Sequence, residues 1–428
     1  MSALLLRGAR VVDPSQGIDG RRDVLVADGR IARVEESIDS SEARVVDLDG
    51  LVLAPGFIDM HVHLREPGQE AKETIATGCA AAVAGGFCAV AAMANTEPVN
   101  DCRAVTEHML AAAARERSAR VYPVGAVSVG MRGERPTDVG ELVEAGVVAL
   151  SDDGRPVMDA TVMRRALEAS ARFGIPVLAH EQDVTLVRDG VVHEGEASRA
   201  LDLPPWPPAG EDAMIARDLL LAEDFGGRLH VQHLTTMRGL ELVRWARWRG
   251  LAVTCEVTPH HLTLTDRDLV EMEGDTDLKM NPPLRGDIDR RALVHGVWDR
   301  VVDAIATDHA PHHPQEKAAD FCCAPFGTIG LETAVPVLLT RLCHEGRLPL
   351  TRLVELLSCG PARVLGVAGG TLAPGAPADL TVLDTERKGT VEPVTFESKA
   401  VNTAFKGWRT KGDAVATIVD GRIVYDAR

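Results

Sequence analysis

The sequence is poor in lysine, in aromatic side chains and in long apolar runs. Only seven of its 46 basic residues are lysine, and none lies between Lys72 and Lys279. No stretch approaches the roughly 18 uninterrupted apolar residues of a membrane-spanning helix. The first residues hold too few apolar side chains for the core of a signal peptide. We therefore expect a cytoplasmic protein without a membrane partner.

Cysteine motifs are also missing. The eight cysteines are scattered, apart from the adjacent Cys322 and Cys323, and no Cys-x-x-Cys or zinc-finger spacing occurs. This pattern argues against a disulfide framework and against a thiolate metal site. We expect most of these cysteines to be small buried apolar residues in a reducing compartment.

Basic residues are fewer than acidic ones. The chain has 428 residues with 46 Lys and Arg against 63 Asp and Glu, a net charge of -17. Such a balance argues against nucleic acid and anionic membranes as partners. An anionic small molecule would have to bind in a local cationic pocket. With 45% hydrophobic and 25% charged residues the composition is globular, which excludes a disordered or fibrous chain.

Both ends of the chain contain short β-type runs separated by turn residues. These runs are residues 4–11, 23–27 and 31–34 near the start, and residues 379–383, 414–419 and 422–425 near the end. Alternating apolar runs around Asp-Gly turns are typical of antiparallel strands. We predict a small composite β-sandwich domain built from residues 1–55 with residues 366–428.

The middle of the chain, residues 56–365, alternates short apolar runs with amphipathic helical stretches. The predicted strands are residues 57–63, 87–94, 120–127, 147–150, 175–180, 229–233, 252–257 and 301–307. The predicted helices include residues 104–117, 160–173, 212–225 and 237–249. Eight strands alternating with helices predict the α/β class and favour a (β/α)₈ barrel of the TIM type over an open sheet.

Polar residues stand at the ends of these strands, at the face where such barrels form active sites. Those able to bind a metal are His61, His63, Asp152, Asp153, His180, His233 and Asp308. Side chains alternate along a strand, so His61 and His63 point to the same side. Four imidazoles, Asp308 and one aspartate of the 152–153 pair are too many ligands for one tetrahedral zinc ion and suit two ions. The residues alone leave Asp152 and Asp153 both open as ligands.

Several motifs occur together along nearly the whole chain. They are Gly-Phe-Ile-Asp-Met-His-Val-His-Leu-Arg-Glu-Pro-Gly at 56–68, Asn95-Thr96, Ser-Asp-Asp-Gly at 151–154, Asn-Pro-Pro-Leu-Arg at 281–285 and Ala-Thr-Asp-His-Ala-Pro-His at 306–312. In this combination the sequence resembles the dihydroorotases of the long bacterial type, within the amidohydrolase superfamily. The segments at 324–327 and 370–380 share the resemblance.

The resemblance implies a zinc-dependent, reversible cyclisation of N-carbamoyl-L-aspartate to L-dihydroorotate with release of water, in de novo pyrimidine biosynthesis. It implies two Zn²⁺ per subunit. One ion would be held by His61, His63 and Asp308, and the other by His180 and His233. The second aspartate of the Asp-Asp pair, Asp153, would bridge them, and Asp308 would also be the catalytic residue that moves the proton.

Arg65 is a candidate for binding the carboxylate of the substrate. It lies two residues beyond His63 on the same face, and a guanidinium can bind a carboxylate through two hydrogen bonds. The resemblance adds Asn95 and His312 to the carboxylate pocket, and Asn281 with the backbone of Phe326 and Gly327 to the ring. We expect residues 311–327 to form a loop over the site. We expect His260 and His261 to be structural, or to support the metal-binding residues without binding a metal themselves.

Two other interpretations compete with this one. Related cyclic amidohydrolases, such as dihydropyrimidinase, hydantoinase and allantoinase, bridge their metals with a carboxylated lysine near the fourth strand. The lysine-free interval and the cation at Arg65 argue against them. A non-catalytic, dihydroorotase-like partner of aspartate transcarbamoylase would have lost metal ligands, whereas all six candidates are present. For assembly we expect a homodimer or a complex with aspartate transcarbamoylase.

Overall fold

A computed structural model describes residues 3–428, so Met1 and Ser2 of the predicted composite domain lie outside the described residues. The strands, in chain order, are β1 (Leu4–Asp13), β2 (Ile18–Ala27), β3 (Arg30–Glu35), β4 (Arg44–Asp47), β5 (Val52–Pro55), β6 (Phe57–Val62), β7 (Phe87–Ala92), β8 (Arg120–Gly125), β9 (Ala149–Leu150), β10 (Val177–Ala179), β11 (Val192–His193), β12 (Pro205–Trp206), β13 (Leu229–Val231), β14 (Val253–Val257), β15 (Ala304–Ile305), β16 (Leu380–Thr390), β17 (Arg409–Val419) and β18 (Arg422–Asp426).

The α-helices are α1 (Ile75–Ala84), α2 (Arg103–Glu116), α3 (Val139–Ala145), α4 (Ala160–Phe173), α5 (Val184–Val187), α6 (Glu196–Ala200), α7 (Ala209–Phe225), α8 (Met237–Trp248), α9 (Pro259–Thr263), α10 (Asp266–Glu271), α11 (Asp287–Trp298), α12 (Pro314–Lys317), α13 (Ala334–Leu338), α14 (Leu350–Val354) and α15 (Gly360–Leu365). Two π-helical segments (Leu339–Glu345 and Glu355–Cys359) extend α13 and α14. Short 3₁₀ turns occur at Val129–Met131, Thr276–Leu278 and Pro393–Thr395. Among residues 3–428 no helix has the length and apolar character needed to cross a membrane.

Eight parallel strands form a nearly closed barrel in the order β6-β7-β8-β9-β10-β13-β14-β15. The first and last strands approach each other where Val62 pairs with His309 and the N–H of His63 donates to the His309 carbonyl at 2.9 Å. The predicted (β/α)₈ barrel is therefore confirmed. All eight predicted strands are present, and all are shorter than predicted. Six of them end earlier because their last residues turn into the loops of the site, whereas β9 and β14 begin later.

The side chains of the barrel strands pack in two layers. Ile58, Met60, Ala91, Leu178 and Ala304 belong to a cluster that fills the barrel interior. Alternate residues of the strands pack outward against the helices in the largest core cluster. This alternation follows from the period of two along a strand, and it leaves the strand ends free to carry polar groups.

The two chain ends share a second eight-stranded sheet, in the order β18-β17-β16-β5-β1-β2-β3 with β4 paired to β1. The predicted β domain built from both ends is confirmed in this sheet. Its description as a sandwich and its limits at residues 55 and 366 stay predictions. The sheet meets the barrel at the starts of β6 and β8, where the Phe57 N–H donates to Thr381 at 3.1 Å and Arg120 pairs with Asp379 at 2.7 Å. The carboxyl ends of the barrel strands are thus left uncovered by it.

Candidate metal centre and active site

Six candidate ligands meet at the carboxyl end of the barrel. They come from or just after five strands: His61 and His63 from β6, Asp153 after β9, His180 after β10, His233 after β13 and Asp308 after β15. The ligand atoms of His61, His63 and Asp308 all lie within 4.8 Å of one another, and so do those of His61, Asp153 and His233. Residues nearly 250 positions apart are brought together because parallel strand ends share one face of the barrel.

The carboxylate of Asp153 faces two different pairs of imidazoles. Its Oδ1 lies 3.0 Å from His180 Nδ1 and 3.2 Å from His233 Nε2. Its Oδ2 lies 3.4 Å from His61 Nε2 and 3.3 Å from His63 Nε2. Burial raises the pKa of Asp153, but the imidazoles, His61 foremost, outweigh burial and hold this pKa well below its usual range. One carboxylate thus faces two different pairs of imidazoles, with one oxygen towards each pair.

Asp308 lies beside the first pair of imidazoles. Its Oδ1 is 3.2 Å from His63 Nε2 and 3.5 Å from His61 Nε2. Burial raises the pKa of Asp308, but the two imidazoles outweigh it, so the pKa is lowered and the group is a carboxylate at neutral pH. Asp308 can therefore bind a cation and accept a proton at the same place.

The donor set fits metal ions. His61 Nε2 is buried and has no hydrogen-bond partner within residues 3–428. His180 Nδ1 lies 2.9 Å from His233 Nε2, so two ring nitrogens converge on the same space. Buried imidazole and carboxylate groups gathered in this way are typical ligands of zinc and similar divalent metals.

Asp152, the other aspartate of the pair, points elsewhere. Its Oδ1 accepts the backbone N–H of Ser128 at 3.1 Å, and its Oδ2 accepts the Ser128 hydroxyl. Burial raises the pKa of Asp152 to about 6. The geometry therefore assigns Asp152 to the loop after β8 and places Asp153 among the imidazoles.

The remaining ring nitrogens of three imidazoles contact further polar side chains. His61 Nδ1 lies 2.7 Å from Glu256 Oε1, His63 Nδ1 lies 2.9 Å from Asn95 Oδ1, and His180 Nε2 lies 3.0 Å from Gln182 Oε1. Such contacts fix the orientation and tautomer of a metal-binding histidine. Sequence reasoning missed Glu256 and Gln182. The only signal for Glu256 was a single charged residue within the apolar strand β14.

A cavity of about 350 Å³ opens beside the candidate ligands. Its lining includes all six residues predicted to bind substrate: Arg65, Asn95, Asn281, His312, Phe326 and Gly327. His63, Asp153, His180 and Asp308 line the same cavity, whereas His61 and His233 lie beneath it. The tertiary structure thus brings the predicted substrate-binding and metal-binding residues into one site.

Arg65 provides a buried cation in this cavity. Its side chain donates from Nε to the Pro311 carbonyl at 3.1 Å, and its Nη2 lies 3.4 Å from His312 Nε2. It forms no ion pair with a carboxylate of the described chain. Burial lowers the pKa of Arg65 to about 10, which still leaves the guanidinium charged at neutral pH. A buried guanidinium with no carboxylate at ion-pair distance among the described residues favours an anionic ligand in the cavity.

His312 and Gly327 close the opposite side of the cavity. Burial and the neighbouring Arg65 lower the pKa of His312 to about 2, so its imidazole is neutral, and its Nε2 lies 2.8 Å from the Phe326 carbonyl. Gly327 has φ +135°, and a Cβ there would lie 2.7 Å from the Ala310 Cβ. Its N–H already donates to the Lys279 carbonyl at 2.8 Å. A glycine is therefore needed for the close approach of this segment to the site.

Two further histidines lie near the site without joining the ligand group. His261 contacts Thr258 Oγ1 at 2.8 Å and the Pro282 carbonyl at 3.0 Å. Burial lowers the pKa of His260 to about 4. Burial also lowers the pKa of His261, so both imidazoles are neutral at pH 7, and the role expected for them stays a prediction.

Comparisons with known proteins place the chain in a family. The model for "Dihydro-orotase-like" proteins matches residues 50–238, and the model for the "Amidohydrolase family" matches residues 225–424. The dihydroorotase of Anaeromyxobacter dehalogenans strain 2CP-C is 54% identical over 424 residues, which cover 99% of this chain and 98% of the relative. The dihydroorotase of Citrifermentans bemidjiense is 47% identical over 425 residues, covering 99% of this chain and all of the relative.

Solved structures share the fold. The L-hydantoinase (dihydropyrimidinase) of Arthrobacter aurescens superposes with a TM-score of 0.89 at 24% identity, over 100% of this chain and 97% of that one. The D-hydantoinase (dihydropyrimidinase) of a Thermus species gives a TM-score of 0.85 at 24% identity, over 99% of this chain and 95% of that one.

The family resemblance seen in the sequence is confirmed, and with the clustered His and Asp side chains it implies a metal cofactor. This chain belongs to the dihydroorotase family, a family of cyclic amide hydrolases within the amidohydrolases.

Proposed function

We propose that this protein is a dihydroorotase with two Zn²⁺ per subunit. It interconverts N-carbamoyl-L-aspartate and L-dihydroorotate, with release or uptake of water, in de novo pyrimidine biosynthesis. One observation supports the proposal most directly: Arg65 and Asp153 line the same cavity. The Arg65 guanidinium forms no ion pair within the described residues, and the two oxygens of Asp153 face different pairs of imidazoles. An anionic cyclic amide can therefore be bound by its carboxylate next to two cation positions.

The residues that would hold the metals are those whose ligand atoms converge. His61, His63 and Asp308 would hold one ion, His180 and His233 the other, with Asp153 shared between them. Bound there, the ions would lower the pKa of water and polarise the carbonyl that it attacks. The imidazole and carboxylate ligands suit zinc better than metals that prefer thiolates.

Arg65 and its neighbours orient the substrate. The carboxylate that takes no part in the reaction would accept hydrogen bonds from the guanidinium, with Asn95 and His312 beside it. Asn281 and the backbone of Phe326 and Gly327 would contact the ring, a role that their place in the lining of the same cavity supports. Because this binding holds the reacting carbonyl in one place, it lowers the entropic part of the barrier.

Asp308 is the residue that moves the proton. In ring opening its carboxylate accepts a proton from the attacking water and delivers it to the ring nitrogen that leaves. In cyclisation it removes the proton from the carbamoyl nitrogen and passes it to the departing oxygen. That oxygen takes a second proton from solvent and leaves as water, because the reacting carboxylate of the substrate is ionised at neutral pH. The lowered pKa of Asp308 supports this role, since the group begins as a carboxylate.

The related hydantoinases share the fold of this chain. They are expected to bridge their metals with a carboxylated lysine near the fourth strand, and this chain differs there. No lysine occurs between Lys72 and Lys279, the interval that contains β9 and the loop after it. The two oxygens of Asp153 face different imidazoles, which supports Asp153 as the bridging ligand in place of a lysine. The cation at Arg65 also favours an anionic ring over a neutral hydantoin.

The test is turnover by the purified, zinc-loaded protein, with metal counting on the same sample. We expect dihydroorotate to be opened with loss of its ring absorbance, and two zinc ions per subunit. Turnover of dihydrouracil or allantoin in its place would contradict the substrate assignment. One zinc ion per subunit in a fully active sample would contradict the proposal that Asp153 is shared between two ions.

Assembly and location belong to the same proposal. The sequence predicts a cytoplasmic protein that forms a homodimer or a complex with aspartate transcarbamoylase. Size-exclusion chromatography of the protein alone, and after mixing with the transcarbamoylase of the same organism, distinguishes the two assemblies. Activity measured on the separated fractions shows whether the subunit needs the partner.

A further inference from the structure

Two of the seven lysines are buried behind the active-site cavity. Lys279 is 2% exposed and Lys317 is 5% exposed, although lysine is almost always kept in water. Neither side chain forms an ion pair with a carboxylate of the described residues. Burying an ammonium in this way is costly unless its donors are satisfied. Their hydrogen bonds therefore indicate what each lysine does.

Both ammonium groups donate to the backbone of one segment, residues 321–327. Lys279 Nζ donates to the carbonyls of Phe321 at 2.6 Å, Cys322 at 3.1 Å and Ala324 at 2.6 Å, and Lys317 Nζ donates to those of Pro325 at 3.1 Å and Gly327 at 3.0 Å. The segment forms turns and irregular backbone, with no helix or strand partner for these carbonyls. The bonds to Ala324 and Gly327 are buried, where an unpaired carbonyl would be unfavourable, and the Gly327 carbonyl also accepts from Asn402 Nδ2 at 3.2 Å. The two lysines thus supply donors that a helix or strand would otherwise provide.

The 321–327 segment in turn forms part of the cavity wall. Phe326 and Gly327 line the cavity. The Phe326 ring lies 4.5 Å from Lys279 Nζ and packs edge-on against Trp206 with ring centroids 6.0 Å apart. An apolar side chain could fill the space of either lysine, but it could not bind these carbonyls. The position of Phe326 and Gly327 against the substrate thus depends on the two ammonium groups.

We propose that Lys279 and Lys317 are positioning residues that hold the 321–327 segment against the active site and thereby set the affinity for substrate. Neither lysine touches the reacting atoms, so the effect is on binding and not on the chemical step. This inference rests on the proposed function, because the ligand whose affinity it concerns is dihydroorotate.

The test compares Lys279→Met and Lys317→Met, made separately, with Lys388→Met as the control on the exposed part of β16. Loss of two or three buried hydrogen bonds should raise the KM for dihydroorotate about tenfold. We expect kcat to change by less than about threefold and the zinc content to stay as in the parent protein. Lys388→Met should match the parent in all three measurements.

Hydrogen exchange reports on the segment without any substrate. The backbone N–H groups of Cys323, Ala324 and Gly327 are hydrogen-bonded, at 2.8 Å each, and should exchange about tenfold faster in both variants. Amides of β13 should exchange as in the parent. Faster exchange in a protein that does not turn over dihydroorotate would leave the lysine assignment standing and contradict the proposed function alone.

Three outcomes would overturn the proposal. Unchanged KM and unchanged exchange in both variants would show that the segment is held by other contacts. A decrease of both kcat and zinc content would show that the lysines stabilise the metal centre and not the substrate-binding segment. Unfolding of both variants would show that they stabilise the whole barrel.

Discussion

The carboxylate of Glu256 lies 2.7 Å from Nδ1 of His61, and both side chains are fully buried although 195 positions separate them. Burial raises the pKa of Glu256, but His61 and His230 together outweigh burial and lower this pKa to about 2. A carboxylate at this position accepts the Nδ1 proton and directs the Nε2 lone pair of His61 towards the candidate metals.

Glu256→Gln should weaken metal binding without removing a ligand. We expect the affinity for zinc to fall about tenfold to a hundredfold, because the amide is a weaker acceptor for His61. Competition with a chromogenic chelator measures this affinity, and circular dichroism checks the fold. Glu241→Gln, on the exposed side of α8, is the matched control. Equal zinc affinity in both variants would contradict the role assigned to Glu256.

Replacement of the two adjacent aspartates should separate their roles. Asp153→Asn should lower the zinc content below two ions per subunit and abolish turnover, since its two oxygens face both imidazole pairs. Asp152→Asn should retain zinc and most activity, because its contacts are to Ser128. Elemental analysis and a dihydroorotate assay on the same samples give the answer. Loss of zinc in Asp152→Asn with retention in Asp153→Asn would reverse the assignment.

Arg65→Gln should act mainly on substrate binding. A charge-assisted hydrogen bond contributes about 1.5–3 kcal/mol, so the KM for dihydroorotate should rise about tenfold to a hundredfold. Zinc content should not change, since Arg65 is not among the grouped metal-binding side chains. Arg199→Gln, on the surface at α6, serves as the control. An unchanged KM would remove Arg65 from the carboxylate pocket.

Asp308→Ala should abolish turnover and leave the barrel folded. Loss of a general acid–base group alone lowers kcat by about a hundredfold to ten-thousandfold, and this variant also loses a carboxylate beside His61 and His63. Single-turnover rates and zinc counts separate the two effects. A variant that loses zinc but regains the parent rate in excess zinc would show that Asp308 is only a ligand.

Arg120→Ala should loosen the terminal sheet from the barrel. The Arg120 guanidinium pairs with Asp379 at 2.7 Å and also with Asp420, and it is 30% exposed. We expect the free energy of unfolding to fall by about 2–3 kcal/mol, because the buried Asp379 loses its counter-ion and keeps only the hydrogen bond from the Asp420 N–H at 2.9 Å. Denaturant titration measures the loss. Arg33→Ala, in an exposed pair with Glu35, should have little effect. Equal stability of the Arg120→Ala and Arg33→Ala variants would contradict the proposal that Arg120 couples the terminal sheet to the barrel.

Much of the fold could be predicted because the apolar periodicity and capping residues that determine helices and strands are local features of the sequence. Helix α4 spans residues 160–173, the range predicted from its amphipathic period, and it begins after a capping aspartate, Asp159. The strands were predicted too long: β15 contains Ala304–Ile305, where residues 301–307 were expected. Apolar runs continue past the last paired residue because the loops that follow are themselves buried.

The sequence by itself determined the barrel, the family and the strand ends at which the chemistry would lie. Periodicity is a local property, and the motifs around His61, Asp153 and Asp308 can be read without coordinates. Only the tertiary structure decided which aspartate faces the imidazoles, that Glu256 contacts His61, and that two scarce lysines support residues 321–327. These contacts join distant parts of the chain through side-chain direction and burial, which no spacing along the sequence encodes.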